Sequence, residues 1–406
     1  MCVCWHISTN SLRSCLRVFV GTFAHSLRSC VSVCVADCAM SSGASLVLDC
    51  GSYTVKAGLS TEEVPHLIRS IVGKSRRDPQ GPTFAGDSAL GLGNGALLNE
   101  PISEGQIDDF VNFEILLDFV YNTVVEGEVE LPVVLAEPVF SSEPNREKLV
   151  ELFFEHFNSP SISFTLQGVL ALVGTGRVTG LVLDCGHSGC QTVPIFESYV
   201  LPHSIGSMKV GGRDLDTLLA KLLAIKSVRL AKTSDKEVLR EIKEMLSFCR
   251  RSGEITECEC MDFRLPDGHK ITIGRERFVV PEAMFRPNLI GVESEGVAAL
   301  VCDSIRHSPM DLTKPLVSNI IVSGGSSMFD GFPTRLASEV KYKVSHNMAR
   351  EVRVVAADDR KNSVWNGGKA FADLRDSFED RWMTKAEYEE FGAGYIQNRV
   401  MTTRSS

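Results

Sequence analysis

The hexapeptide Leu-Val-Leu-Asp-Cys-Gly occurs twice in the chain, at residues 46–51 and again at 181–186. In each copy an apolar run ends in an aspartate, Asp49 or Asp184, and small residues follow at once: Gly51 and Ser52 in the first, Gly186 and Ser188 in the second. A strand ending this way offers the backbone N–H groups of its turn to phosphate oxygens, while the carboxylate holds the hydration shell of a Mg²⁺ ion. Lys56 lies four residues beyond Ser52 and can reach back to a phosphate as a point charge. One such turn is ordinary, because Asp forms turns and Gly takes positive φ. Two identical copies point to two facing walls around one ligand, with ATP or ADP and Mg²⁺ (or Ca²⁺) as the expected occupants. A third element, Ser323-Gly324-Gly325-Ser326-Ser327-Met328-Phe329, reads as a strand-to-helix turn whose paired glycines let the backbone approach a flat ring.

Each turn needs strands to hold it. Residues 45–49 and 55–59 read as a buried hairpin, and residues 180–184 and 192–196 repeat it. Repetition of one supersecondary unit predicts two related domains facing each other. Between the copies, the apolar spacing of Ile107, Phe110, Val111, Ile115, Leu116 and Phe119 predicts a helix over 106–123. A strand over 132–136 and a helix over 145–157 follow, the helix announced by Pro144. Further on, the pattern gives amphipathic helices at 214–223 and 234–248, the latter with Ser234 and Asp235 as N-cap candidates, then a strand at 320–323 and a helix at 332–340. Residues 73–105, rich in Gly, Pro and Asn, read as an exposed excursion. Strands alternating with helices make an α/β fold.

At 406 residues and 44% hydrophobic content, the chain can bury a large core and favours more than one domain. A formal net charge of -9 argues against a general nucleic-acid or anionic-membrane binder, and no stretch after residue 45 is apolar for the roughly 18 residues of a membrane span. Of 13 cysteines, Cys2, Cys4, Cys15, Cys30, Cys34 and Cys38 precede the body, while Cys50 and Cys185 fall inside apolar strands, as reduced thiols of a cytosolic protein do. The pair Cys258 and Cys260 lacks the second pair of ligands a zinc site needs. Residues 1–39 carry Arg13, Arg17 and Arg28 and no acid before Asp37, a composition shared with transit peptides. Met40, followed by a polar run and the first strand, makes a natural start, and the earlier residues are read as untranslated or dispensable.

From about Ser45 to about Gln397 the chain resembles the actin family. The resemblance is carried by LDCGSYTVKAG, PNREKLVELFFEHFN, LQGVLALVGTGRVTGLVLDCG, VGGRDL, LREIKEMLSF, LPDGHKITIGRERF, PEAMFRPNLIGVESEGV, NIIVSGGSSMFDGF and RKNSVWNGGKAFADL. Their order and spacing agree throughout, which sugar kinases and chaperone ATPases would not show. Within actin-related proteins, FRPNLIGVESEGV, PMDL, SNIIVSGGSSMFDGF and SEVK look most like centractin, the filament subunit of dynactin. The resemblance implies an actin-like ATPase fold, two duplicated domains in four subdomains around a central nucleotide cleft. It divides the chain into an extension at 1–44, a first half at 45–175 with the small excursion 73–105, a second half at 176–372 with an insertion at about 213–307, and a segment 373–406 returning to the first half.

It also implies roles for single residues. Asp49, Gly51, Ser52, Tyr53 and Lys56 form the first phosphate turn, Asp184 and Gly186 the second, and both aspartates hold the metal through water. Gln167 orients the attacking water, with Asp184 as a weaker catalytic candidate. Arg240, Lys243 and Glu244 run along the adenosine, Gly212 meets the ribose, and Gly324, Gly325, Met328, Phe329 and Lys361 close the base pocket. Departures from the family pattern accompany these matches. Tyr53 replaces a small residue and either crowds the terminal phosphate or points outward; His187-Ser188 replaces Asp-Gly; Gln191 and Glu104 each replace a histidine; and Arg399–Ser406 lacks the usual basic-aromatic ending. Losing a carboxylate and an imidazole removes proton-handling groups worth 10² to 10⁴ in rate, so hydrolysis is expected to be slow or absent, at most a weak ATPase. The function implied is a cytoplasmic, cytoskeletal protein that binds Mg-ATP and assembles with itself or other actin-family subunits, an apolar plug at Pro287, Leu289 and Ile290 entering its neighbour. Dynactin-like or motor-associated proteins are the partners that go with it, with no direct nucleic-acid contact. The alternative is a non-polymerising scaffold subunit of a nuclear chromatin-remodelling complex, favoured by the excursion at 73–90, which is shorter than the family's subunit-contact loop, and by the altered second turn.

Overall fold

The computed structural model describes residues 43–78, 80–125, 130–228, 230, 233–251 and 259–400. The expectations for residues 1–39, for Cys258 and for the last residues of the C-terminal ending lie outside that set. In chain order the strands that build the two main sheets are β1 (Leu46–Cys50), β2 (Thr54–Leu59), β3 (His66–Arg69), β4 (Val133–Glu137), β5 (Ser161–Leu166), β6 (Gly180–Cys185), β7 (Cys190–Phe196), β8 (Tyr199–Val200), β9 (Gly206–Met208), β10 (Ile320–Ser323), β11 (Val354–Ala356) and β12 (Met383–Thr384). The first sheet runs β12-β5-β4-β1-β2-β3 and the second β8-β7-β6-β10-β11, with β9 beside β7.

The two sheets share one plan. β1 is antiparallel to β2 and parallel to β4, while β6 is antiparallel to β7 and parallel to β10. The central strands read as unbroken apolar runs because helices cover both faces of a parallel sheet. Leu46, Val47 and Leu48 are fully buried, as are Leu181, Val182 and Leu183. Two helices lie where the cores meet: α3 (Gln167–Val173), after α1 (Phe110–Val124) and α2 (Glu143–Glu151), and α7 (Ser363–Asp373), after α4 (Gly212–Ile225), α5 (Thr233–Leu246) and α6 (Phe332–Lys343). One apolar cluster contains Val47 and Val134 of the first sheet, Val182 and Ile321 of the second, and Leu170 and Trp365 from the two helices.

Four local readings change. Residues 106 and 107 belong to a short hairpin with Ile102–Ser103, and α1 starts only after Asp109, whose carboxylate accepts from the Asn112 N–H at 3.0 Å. A side-chain cap outweighs one residue that happened to fit the period. The 145–157 helix begins two residues earlier, capped by Ser142, and its last turn widens into a π-turn over Leu152–His156. The 73–105 stretch is not simply exposed: Val72–Ser75, Phe84–Ala85 and Ala96–Asn99 pair as a small sheet, and Val72, Ala85 and Ile102 join the first core. α5 starts at Thr233, so Asp235 sits in its first turn, where its charge complements the helix dipole. Among the described residues no helix is long and apolar enough to cross a membrane.

Candidate functional site

The two repeated turns face each other across a cleft of about 650 Å³. It is lined by every residue the sequence assigned to the nucleotide, the metal or catalysis. The first wall supplies Asp49, Gly51, Ser52, Tyr53, Lys56 and Gln167; the second supplies Asp184, Gly186, Gly212, Arg240, Lys243 and Glu244; and Gly324, Gly325, Met328, Phe329 and Lys361 close the far end.

Hairpin register sets the chemistry of the first wall. Asp49 lies directly opposite Lys56 on β2, and their side chains meet at 2.6 Å. Gln167, the first residue of α3, donates through Nε2 to the other Asp49 oxygen at 3.0 Å. In the second copy the residue opposite Asp184 is Gln191, so that hairpin sets no lysine against its aspartate. Burial works to lower the Lys56 pKa, but the carboxylates of Asp49, Asp184 and Asp359 more than offset it and hold the ammonium above its ordinary value. Asp184 shows the reverse balance. Burial raises it, and the attraction of Lys56 only partly compensates, leaving this carboxyl above the usual carboxylate range.

Backbone donors are available in both turns. The Gly51 and Gly186 N–H groups are spent inside their own turns, on Thr54 and Gly189 carbonyls. Those of Ser52, Tyr53, His187 and Ser188 find no acceptor among the described residues, and the buried Ser188 hydroxyl has no partner either. Orphaned donors beside paired carboxylates fit an anionic ligand carrying a hydrated divalent cation. Asp49 and Asp184 would hold that cation through water, and the cation would supply charge neutralisation at the phosphates.

The third turn is held against the second. Gly324 has φ 90°, and a Cβ there would lie 2.2 Å from the Cys185 carbonyl oxygen, so only glycine lets β10 run on into Gly325 at this distance. Ser326 donates to the Gly186 carbonyl at 2.7 Å. On α5, Lys243 is buried and donates to the Gly212 carbonyl at 3.1 Å while pairing with Asp216 at 2.7 Å, which ties α5 to the N-terminus of α4.

Sequence reasoning missed a cluster around Tyr53. The side chain neither crowds inward nor points out; it turns across the cleft. Its hydroxyl donates to Glu237 at 2.9 Å, and the Arg69 and Arg240 guanidinium carbons lie 3.7 and 4.3 Å from its ring centroid. His187 adds a ring contact at 4.9 Å. Nearby, the Gly105 N–H donates to the Ser52 hydroxyl at 3.1 Å, and Glu104 pairs with Lys209 at 2.9 Å.

His187 is held neutral. Burial, and then the charges of Lys243, Arg213, Arg69 and Lys236, push its imidazole down to about 3 from an ordinary 6.5. Between those values the unfolded chain binds a proton the folded chain refuses, so His187 subtracts stability as pH falls below about 6.5. The loss approaches about 1.4 kcal/mol per pH unit for a single group. His187→Gln should therefore flatten the fall in melting temperature between pH 6.5 and 5; an unchanged slope would show that the imidazole titrates normally.

The model of the actin family matches residues 40–401. That span includes both sheets, all three turns and every cleft residue named above, and it accounts for the duplicated plan as the actin-like ATPase fold. On the match over nearly its whole length, the chain belongs to the actin family.

Proposed function

We propose that the chain is an actin-related protein that binds Mg-ATP or Mg-ADP in the cleft between its two sheets. The observation that carries this reading is the facing pair of turns whose backbone donors at Ser52, Tyr53, His187 and Ser188 have no acceptor among the described residues, backed by Asp49, Lys56 and Asp184. Lys56 is bonded to Asp49, and its ammonium carries further N–H donors that can meet a phosphate. Gln167 is the residue assigned to the attacking water, but its amide is bonded to Asp49, and the neutral His187 and Gln191 supply no negative charge or strong base beside it. Hydrolysis on this reading is slow or absent. Titration calorimetry of the full chain with Mg-ATP should give saturable one-site binding, and a flat titration overturns the reading.

The finer assignment is assembly into a filament, of the centractin type by sequence resemblance, with other actin-family subunits as neighbours. It is favoured by the 3₁₀ turn Pro287–Ile290, in which Pro287 is buried while Leu289 is 48% exposed at the tip, an anchored apolar plug. Cytoskeletal location and dynactin-like partners belong to this assignment and go with it. Under the alternative, a non-polymerising nuclear scaffold, the same titration succeeds but the chain sediments as a monomer in Mg-ATP.

A further inference from the structure

The Tyr53 cluster joins the two walls at the mouth of the cleft. From one side come Tyr53, in the turn between β1 and β2, and Arg69, the last residue of β3. From the other come Glu237 and Arg240, one turn apart on α5, and His187 from the second turn. Glu237 is the knot: its carboxylate accepts from the Tyr53 hydroxyl and the Arg69 guanidinium, and Arg240 approaches it to 3.6 Å. Both guanidinium groups also lie over the Tyr53 ring, an arrangement that strengthens as water is excluded from it. Arg69 is only 13% exposed and Glu237 34%, so the ion pair is better shielded than the other link across the mouth, Glu104 with Lys209, at 51% and 79%. Neutral His187 completes the contact without adding a fourth charge.

Four of these contacts span the two walls, Tyr53 with Glu237, Arg240 and His187, and Arg69 with Glu237, and three of the four are made by the Tyr53 side chain. We propose that Tyr53, Arg69, Glu237, Arg240 and His187 form a clasp that keeps the walls together with or without ligand, and that its opening limits ligand entry and release. The second half of the proposal rests on the nucleotide-binding reading; the first does not. A glycine at position 53 removes the ring and with it every bond of the clasp except the pairing of Glu237 with its two arginines. Phenylalanine keeps the ring and loses the bond to Glu237.

Two measurements on the full chain separate the parts. Hydrogen exchange without nucleotide, in peptides covering residues 50–54 and 186–190, should speed up about ten-fold in Tyr53→Gly and Glu237→Gln, with β4 as an internal reference for global unfolding. Exchange equal to wild type in both variants overturns the clasp. Release of a fluorescent Mg-ATP analogue, chased with unlabelled ATP, should also accelerate about ten-fold in those variants, with Tyr53→Phe in between. Faster exchange with unchanged release overturns the limit on ligand traffic. An analogue that binds neither wild type nor variants overturns the nucleotide reading and leaves the exchange result to decide the clasp alone.

Discussion

Replacing Asp49 and Asp184 together by alanine should abolish the thermal protection that Mg-ATP gives the wild-type chain. At a nucleotide concentration 100 times the dissociation constant, that protection amounts to about 2.7 kcal/mol. The variant should lose all of it, because both outer-sphere metal carboxylates go and Lys56, left with only the more weakly acting Asp359 as counter-charge, loses the bond that fixes its place. The single variants test the electrostatics separately. Asp49 is 3% exposed and bonded on both oxygens, to Lys56 and Gln167, so Asp49→Ala strands a lysine and an amide and should cost the ligand-free chain about 2–3 kcal/mol. Asp184 is the carboxyl whose burial outweighs its attraction to Lys56, so Asp184→Asn should leave the ligand-free chain at least as stable as wild type at neutral pH. Opposite shifts in ligand-free stability with a shared loss of nucleotide protection is the expected signature. Protection by Mg-ATP that survives in the double variant would sink the assignment of both aspartates.

The repeat made much of this legible. A hexapeptide is a local signal, and once each copy is read as a hairpin, the register that sets Asp49 against Lys56 also sets Asp184 against Gln191. The inequality of the two walls thus follows from counting along the chain. The clasp was not legible for the opposite reason: Tyr53 and Arg69 meet Glu237 across 184 and 168 residues, and nothing in the spacing of a lone tyrosine says which way it turns. The misread excursion has a third cause. Its glycines and prolines are genuine turn formers, but Val72, Ala85 and Ile102 sit between the turns and are buried against the first core, a pattern too short to show a period. At the start of α1, Ile107 matched the helical spacing while Asp109 carried the stronger, side-chain instruction.

Gly367→Ala should be among the most damaging single substitutions in the molecule, although it touches no ligand-facing residue. α7 crosses α3 at this point, and a Cβ on residue 367 would stand 1.8 Å from the Leu170 carbonyl oxygen and 2.4 Å from its carbon. Neither atom is the movable end of a side chain. To admit the methyl group the helices must separate, which loosens the cluster around Trp365, a fully buried ring in the same apolar cluster as Val47 and Val182. We expect a loss of about 3 kcal/mol or more in denaturant unfolding, at the upper end of overpacking costs because the obstacle is backbone. Gly325→Ala, where an added Cβ meets nothing within 4 Å, should stay within about 0.5 kcal/mol of wild type and serves as the control. The effect should reach the cleft as well, since α3 begins with Gln167 and is the element that aims its amide at Asp49. Stability within about 1 kcal/mol of wild type would mean the crossing is looser than a carbonyl at van der Waals contact allows, and that α3 is not the rigid strut by which the two sheets set the position of Gln167.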